Sequence, residues 1–254
     1  MAQNAATGRS RRAALRLAVA AAPALLMTVA WPGAAGAEAK PAQPLKIGMI
    51  GSGREGGALG SLWVKAGHPV MFSSRHPGEL KDLVAGLGPL AHAGTVAQAI
   101  AFGDVVAIVV PYPAMREIGR DYAAALAKKA LVIDVSNPIA RRDGDAIVDW
   151  ANQQGGAGLA TAKLLPGAHL VRGFNAIGST RLSEDAHHAG GELGIPIAGD
   201  DPKAIAIAST LIREIGYEPV LIGGLAKGKY LVPGTPLAGE HTPAEIRQIA
   251  SGLG

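Results

Sequence analysis

The 254-residue chain has no cysteine. Disulfides, thiolate nucleophiles and zinc–sulfur sites are therefore excluded, while an oxidising compartment stays permissible. It also has little excess of charge. Of its 24 Lys and Arg, four (Arg9, Arg11, Arg12 and Arg16) lie within residues 1–37, which contain no acid, so the remainder balances 20 basic against 20 acidic residues. The overall formal charge of +4 thus belongs to that segment. It makes no case for nucleic acid or an anionic membrane as a partner. No G-x-S-x-G elbow is present. The adjacent His187 and His188 cannot share a helical face and have no third ligand placed nearby by sequence, so no metal site is expected. Long apolar runs are missing as well: the Ala/Leu-rich stretch 17–30 is short for a membrane span.

What that stretch does resemble is the core of an export signal. Four arginines precede it, Trp31-Pro32-Gly33 breaks its helix, and Ala35-Gly36-Ala37 offers small residues for cleavage. Ser10-Arg11-Arg12 is similar to a twin-arginine signal, with Ala14 where a bulky apolar residue is usual. A general secretory signal and an uncleaved anchor are the alternatives. The expected organisation is a signal peptide (1–37), a linker (38–44), a nucleotide-binding domain (45–224) and a C-terminal segment (225–254), in a periplasmic or extracellular protein with no stable span after cleavage. The 217 residues after the signal suffice for one sizeable domain.

From residue 45 onward, short β-forming runs alternate with helical periodicities. Strands are expected at 45–50, 69–73, 90–93, 105–110 and 130–135, separated by helices after residue 53 and over 77–85, 95–101 and 114–127. The unbroken apolar run at 105–110 is of the kind buried on both faces of a parallel sheet. Five alternations predict a Rossmann-like, doubly wound, mostly parallel α/β sheet. Further on, helices are expected near 147–153 and 160–165, strands at 169–172, 194–198 and 218–222, a helix over 202–215 and a last one over 242–249. Residues 141–145 read as a polar connection.

The first strand stops at Gly51-Ser52-Gly53-Arg54-Glu55-Gly56, and Ala58, Leu59, Leu62 and Trp63 then recur at helical spacing. In a strand–glycine–helix turn of this form Gly51 allows the tight turn, Gly53 lets a pyrophosphate approach the backbone, and Gly56 lets the helix pack close. The unpaired N–H groups of the helix face the phosphate. A dinucleotide site is the consequence. An NAD site usually places an acid at the end of the second strand, whereas this chain has Ser73-Ser74-Arg75, which suits a 2′-phosphate and hence NADP. The alternative is that Arg75 is a solvated loop charge. Pro111 and Asn137, at the ends of the fourth and fifth strands, should border the ribose and nicotinamide, as should Asn175 in Gly173-Phe174-Asn175-Ala176. Asn137-Pro138 is also simply a good turn. No catalytic acid–base pair stands out, and hydride transfer does not need one.

Taken together, KIGMIGSGREGGALG, FSSRHP, VVPYPA, DVSNP, GFNAIG, GIPIAGDDPKA and LVPGTPLAGEHT resemble the coenzyme F420-dependent NADP oxidoreductase family. The nucleotide half is similar to the cytosolic domain of six-transmembrane ferric reductases. The resemblance implies that Gly51, Ser52, Gly53, Arg54 and Glu55 bind the pyrophosphate and that Ser73, Ser74 and Arg75 bind the 2′-phosphate. Pro111 and Asn175 would flank the nicotinamide and a flat deazaflavin (F420) or flavin partner. It also implies a homodimer acting on a small-molecule acceptor. Two departures leave that acceptor open: the export signal, and Asn175 where the deazaflavin enzymes carry His. An exported NADP-binding sensor without turnover and a small imine or hydroxyacid reductase are the competing readings. The latter normally needs a large helical domain, for which the residues after 222 are too few. The 225–254 segment, with its Pro233-Gly234-Thr235-Pro236 turn, is expected to cover the site or form a dimer contact.

Overall fold

The inner strands of the central sheet are short runs of residues buried on both sides, and their period of two distributes side chains between two helical layers. In the computed structural model, which describes residues 44–189 and 192–254, β1 (Ile47–Ile50), β4 (Val105–Ile108) and β5 (Leu131–Asp134) are buried throughout. Ile47, Met49, Val105, Ala107, Leu131 and Ile133 join one core with Leu59 and Trp63 of α1 (Arg54–Lys65) and Leu211 of α9 (Pro202–Glu214). The alternate residues Ile50, Val106, Ile108 and Val132 face the other way, against Ile100 of α3 (Val96–Phe102) and Met115, Ile118 and Leu126 of α4 (Met115–Leu126). Trp63 is fully buried and its Nε1 donates to the Leu211 carbonyl at 3.1 Å, tying α1 to α9 across a sequence separation of 148.

The remaining elements are β2 (Val70–Ser73), α2 (Lys81–Leu87), β3 (Ala91–Gly94), α5 (Ala140–Asp143), α6 (Asp145–Gln153), α7 (Ala157–Leu164), β6 (Leu170–Arg172), α8 (Ser179–Glu184), β7 (Gly194–Gly199), β8 (Glu218–Gly223) and α10 (Pro243–Ser251). The eight strands lie in the order β3-β2-β1-β4-β5-β6-β7-β8. All pairs are parallel except β6–β7. This is the doubly wound Rossmann-like sheet expected, with its topological switch between β1 and β4, where such sheets open a crevice at their carboxyl ends.

Differences from the sequence reading are local. β4 stops at Ile108, so that Val109 and Val110 belong to the loop that leaves the sheet. The expected helix over 77–85 begins as a 3-10 turn at Pro77–Leu80 before α2. The supposed polar connection at 141–145 contains the helical turn α5, and α8 was not anticipated. The signal peptide and all of the linker but Pro44 fall outside the described residues.

The C-terminal segment packs at the β7–β8 end of the sheet. Leu231, Leu237 and Ile246 form a small cluster with Ala198 of β7 and Val220 of β8. Helix α10 is started by a capping box in which Thr242 and Glu245 satisfy each other's backbone N–H groups.

Candidate functional site

The glycine turn sits at the switch point, and each glycine has a distinct reason. Gly51 has φ +92°, and a Cβ there would stand 2.2 Å from the Val109 carbonyl oxygen. At Gly56 a Cβ would meet the Gly51 carbonyl oxygen at 2.0 Å, so α1 can leave the turn only because that atom is missing. Around Gly53 nothing lies within 4 Å of an added Cβ. Gly53 is also the N-cap of α1, and among the described residues no side chain caps the helix. The first-turn N–H groups therefore face open space instead of a protein acceptor, as a phosphate site requires.

Beside this turn runs a cleft of about 660 Å³, a size within the usual range for a small-molecule or cofactor site. It is bounded by Gly53 to Gly56, by Val109, Val110 and Pro111 after β4, by Val135, Ser136 and Asn137 after β5, and by Phe174, Asn175 and Ile177 after β6. Pro233 closes part of it from the C-terminal segment. The structure thus brings Gly53, Arg54, Glu55, Gly56, Pro111, Asn137 and Asn175 to one cleft. Gly51 and Ser52 form the base of the turn, where the Ser52 hydroxyl donates to the Ser73 carbonyl at 3.1 Å.

The expected phosphate trio divides. Ser73 is fully buried, and its hydroxyl donates to the Met49 carbonyl at 2.8 Å, so its side chain ties β2 to β1 and is not available to a ligand. That corrects the expectation for Ser73. The Ser74 hydroxyl accepts from the His76 backbone N–H at 3.0 Å. Arg75 is exposed at the end of β2 and has no ion pair among the described residues.

Beneath the cleft lies a buried network that sequence reasoning did not find. Asp134 and Arg172 are register partners on β5 and β6, both fully buried and joined as an ion pair. The Asp134 carboxylate also accepts from the Thr161 hydroxyl and the Ser136 N–H, each at 2.8 Å. Arg172 donates to the Asn137 side-chain oxygen at 3.0 Å and to the Leu231 carbonyl at 3.4 Å, so the C-terminal segment is bonded to the floor of the site. Asn137 donates in turn to the Asn175 carbonyl at 2.7 Å. Its amide is therefore engaged at both ends by protein, and Asn137 orients the floor more than it offers groups to a ligand. Asn175 directs its amide nitrogen at the carbonyls of Asp134 (3.0 Å) and Ser136 (3.3 Å), and its buried Oδ1 has no partner among the described residues. Two carbonyl acceptors fix which end of that amide is nitrogen. The one available signal was a pair of opposite charges ending two adjacent apolar strands, in LVID and HLVR.

Two further features mark the cleft. Phe174 holds φ +64°, an uncommon conformation for an aromatic residue, and its ring is pinned edge-on against Trp63 at 6.0 Å. Burial pushes the Glu55 carboxyl up to about 7 from an ordinary 4.5, and the Ser179 backbone N–H offsets only part of that. Because the folded-state value is raised, the stability associated with this group is full below pH 4.5 and is lost as pH rises through about 7.

Comparison with known proteins bears on the family and the fold. Residues 46–138 match the family described as NADP oxidoreductase, coenzyme F420-dependent. Metalloreductase STEAP3 of Rattus norvegicus is 30% identical over 193 residues, covering 74% of this chain and 36% of that protein. A glycerol-3-phosphate dehydrogenase [NAD(P)+] of Rhizobium etli is 25% identical over 201 residues, 67% of this chain and 62% of its own length. The chain thus spans between about a third and two thirds of the curated relatives it matches. Among solved structures, a protein from Arthrobacter sp. FB24 assigned as an F420-dependent NADP reductase shares the fold with a TM-score of 0.63 at 20% identity, covering 73% of this chain and 87% of that one. Residues 46–138, which hold the glycine turn, the β2 end and the β5 end, are thus the part of the chain that is similar to the F420-dependent NADP oxidoreductases.

Proposed function

We propose that this protein passes hydride between NADP(H) and a flat heteroaromatic acceptor of the deazaflavin or flavin class. The observation that carries the reading is the continuity of two features: the uncapped start of α1 with open space at Gly53, and the cleft that leads from it past Pro111 to Asn175. The nucleotide supplies the transferable hydride. The chain's part is to bind and align. The α1 amides and Gly53 take the diphosphate, and Arg75 with Ser74 takes the 2′-phosphate. Val109, Val110, Pro111, Ile139 and Ile177 give the ring end an apolar lining that suits a planar acceptor. Asn175 Oδ1, unpaired among the described residues, is an acceptor suited to a carboxamide or ring N–H.

Pro233 and the bond from Arg172 to Leu231 support a covering role for residues 225–254 over this end of the cleft. A homodimer would complete the cover, and the arginine-rich start of the chain supports export. The decisive experiment is oxidation of NADPH in the presence of a panel of F420, flavins and ferric chelates. Turnover is expected with F420 or a flavin. Tight NADPH binding with no turnover on any of them would instead favour a nucleotide-binding module.

Cofactor preference follows from Arg75. Arg75→Ala is expected to weaken NADPH by about 1.5–3 kcal/mol, the worth of a charge-assisted hydrogen bond, and to leave NADH nearly unchanged. Dissociation constants for both nucleotides check this. Equal losses for the two would mean that Arg75 does not read the phosphate.

A further inference from the structure

Glu55 is an unusual group to find in the first turn of a helix whose amides are to receive a diphosphate. It lines the cleft, and although the Ser179 backbone N–H meets its carboxyl, its Oε1 is shut off from solvent and has no hydrogen-bond partner among the described residues. An ionised carboxylate in that position is poorly compensated. It would also stand beside the incoming phosphates as a like charge. The charged groups around it do not offset this. Arg54 lies one residue away on α1 and is exposed. On α8, which packs against α1, Arg181 is engaged by Glu184 and by Glu240 of the C-terminal segment. Asp185, at the end of α8, adds a further acid. Arg142 of α5 is held by Asp143. No salt bridge reaches Glu55 among the described residues.

Building on the nucleotide-binding reading above, we propose that Glu55 enters the complex as the neutral acid and donates a hydrogen bond from its carboxyl O–H to the diphosphate, so that nucleotide binding takes up a proton that stays on this residue. A carboxyl offers one donor when protonated and none when ionised. The bound phosphates then raise the proton affinity of the same group further. The raised value of about 7 in the free protein means that this protonation is inexpensive at neutral pH and becomes costly above it. Nucleotide affinity is thereby coupled to the pH of the surroundings.

The test compares NADP+ affinity from pH 6 to 8.5 for the wild-type chain, Glu55→Gln and Glu55→Ala. The wild type should weaken by about tenfold per pH unit above about 7, the limiting slope for one linked proton. Glu55→Gln keeps a donor of the same shape and should match the wild type at pH 6 while showing no such slope. Glu55→Ala should be weaker at pH 6 and equally flat. Titration of the ligand's own 2′-phosphate is common to all three and cancels. Calorimetry at pH 8 in HEPES and in Tris should show close to one more proton taken up by the wild type than by Glu55→Gln. If the substituted chains keep the wild-type slope, or the uptake is equal, the proposal is overturned. If the wild type binds no NADP+ at any pH, the nucleotide reading itself falls and takes this proposal with it.

Discussion

Arg172→Met is expected to lower the stability of the chain by about 3–5 kcal/mol, because it removes one partner of a buried ion pair and leaves the other charged. Asp134 is fully buried and would retain only the Thr161 hydroxyl and the Ser136 N–H. The methionine approximates the volume of the arginine stem, so the loss reflects the stranded carboxylate more than a cavity. Denaturant unfolding of the two proteins measures it. Combining Arg172→Met with Asp134→Leu should recover most of the loss, since replacing both members of such a pair by apolar residues is often nearly neutral. Arg172 also holds the Asn137 side-chain oxygen, and Asn137 holds the Asn175 carbonyl. The double variant should therefore regain stability without regaining full acceptor turnover. A single variant within about 1 kcal/mol of the wild type would mean that the network contributes little.

Gly53→Val is expected to abolish NADP(H) binding while leaving the fold nearly intact. A branched side chain meets no protein atom within 4 Å of its Cβ, and the Gly53 backbone has φ −71°, which valine adopts without strain. It does occupy the space in front of the α1 amides. Two or more charge-assisted contacts to phosphate would be lost at about 1.5–3 kcal/mol each, a weakening of at least a hundredfold. Gly56→Ala makes the opposite case. Its new methyl would lie 2.0 Å from the Gly51 carbonyl oxygen, so overpacking should lower stability by about 1–3 kcal/mol before binding is considered. Calorimetry with NADPH and thermal melts on both variants separate the two effects. Undiminished affinity in Gly53→Val would sink the assignment of the turn to the diphosphate.

The alternation of strands and helices, the glycine turn and the placement of Arg75 at the end of β2 were legible in the chain itself. Each is a local property. Periods of two and of 3.6 residues, and a backbone that needs φ +92° at Gly51, involve only neighbouring residues. The roles of individual polar side chains were not legible in this way. Ser73 and Ser74 look alike in sequence, yet one faces Met49 inside the sheet and the other the solvent side of a turn. That difference depends on where β2 ends against β1. Asn137 and Asn175 likewise seemed interchangeable, until Arg172 engaged the oxygen of one and left that of the other unpaired.

The pairing of Asp134 with Arg172 joins residues 38 apart, and the bond from Arg172 to Leu231 spans 59. The chain alone dictated that both charges would end apolar strands. Only the register of β5 against β6 decided that they would stand side by side, because a shift of one residue would send one of them to the opposite face of the sheet. The antiparallel turn at β7 decided the rest, carrying the C-terminal segment to the β7–β8 end of the sheet and Pro233 to the cleft.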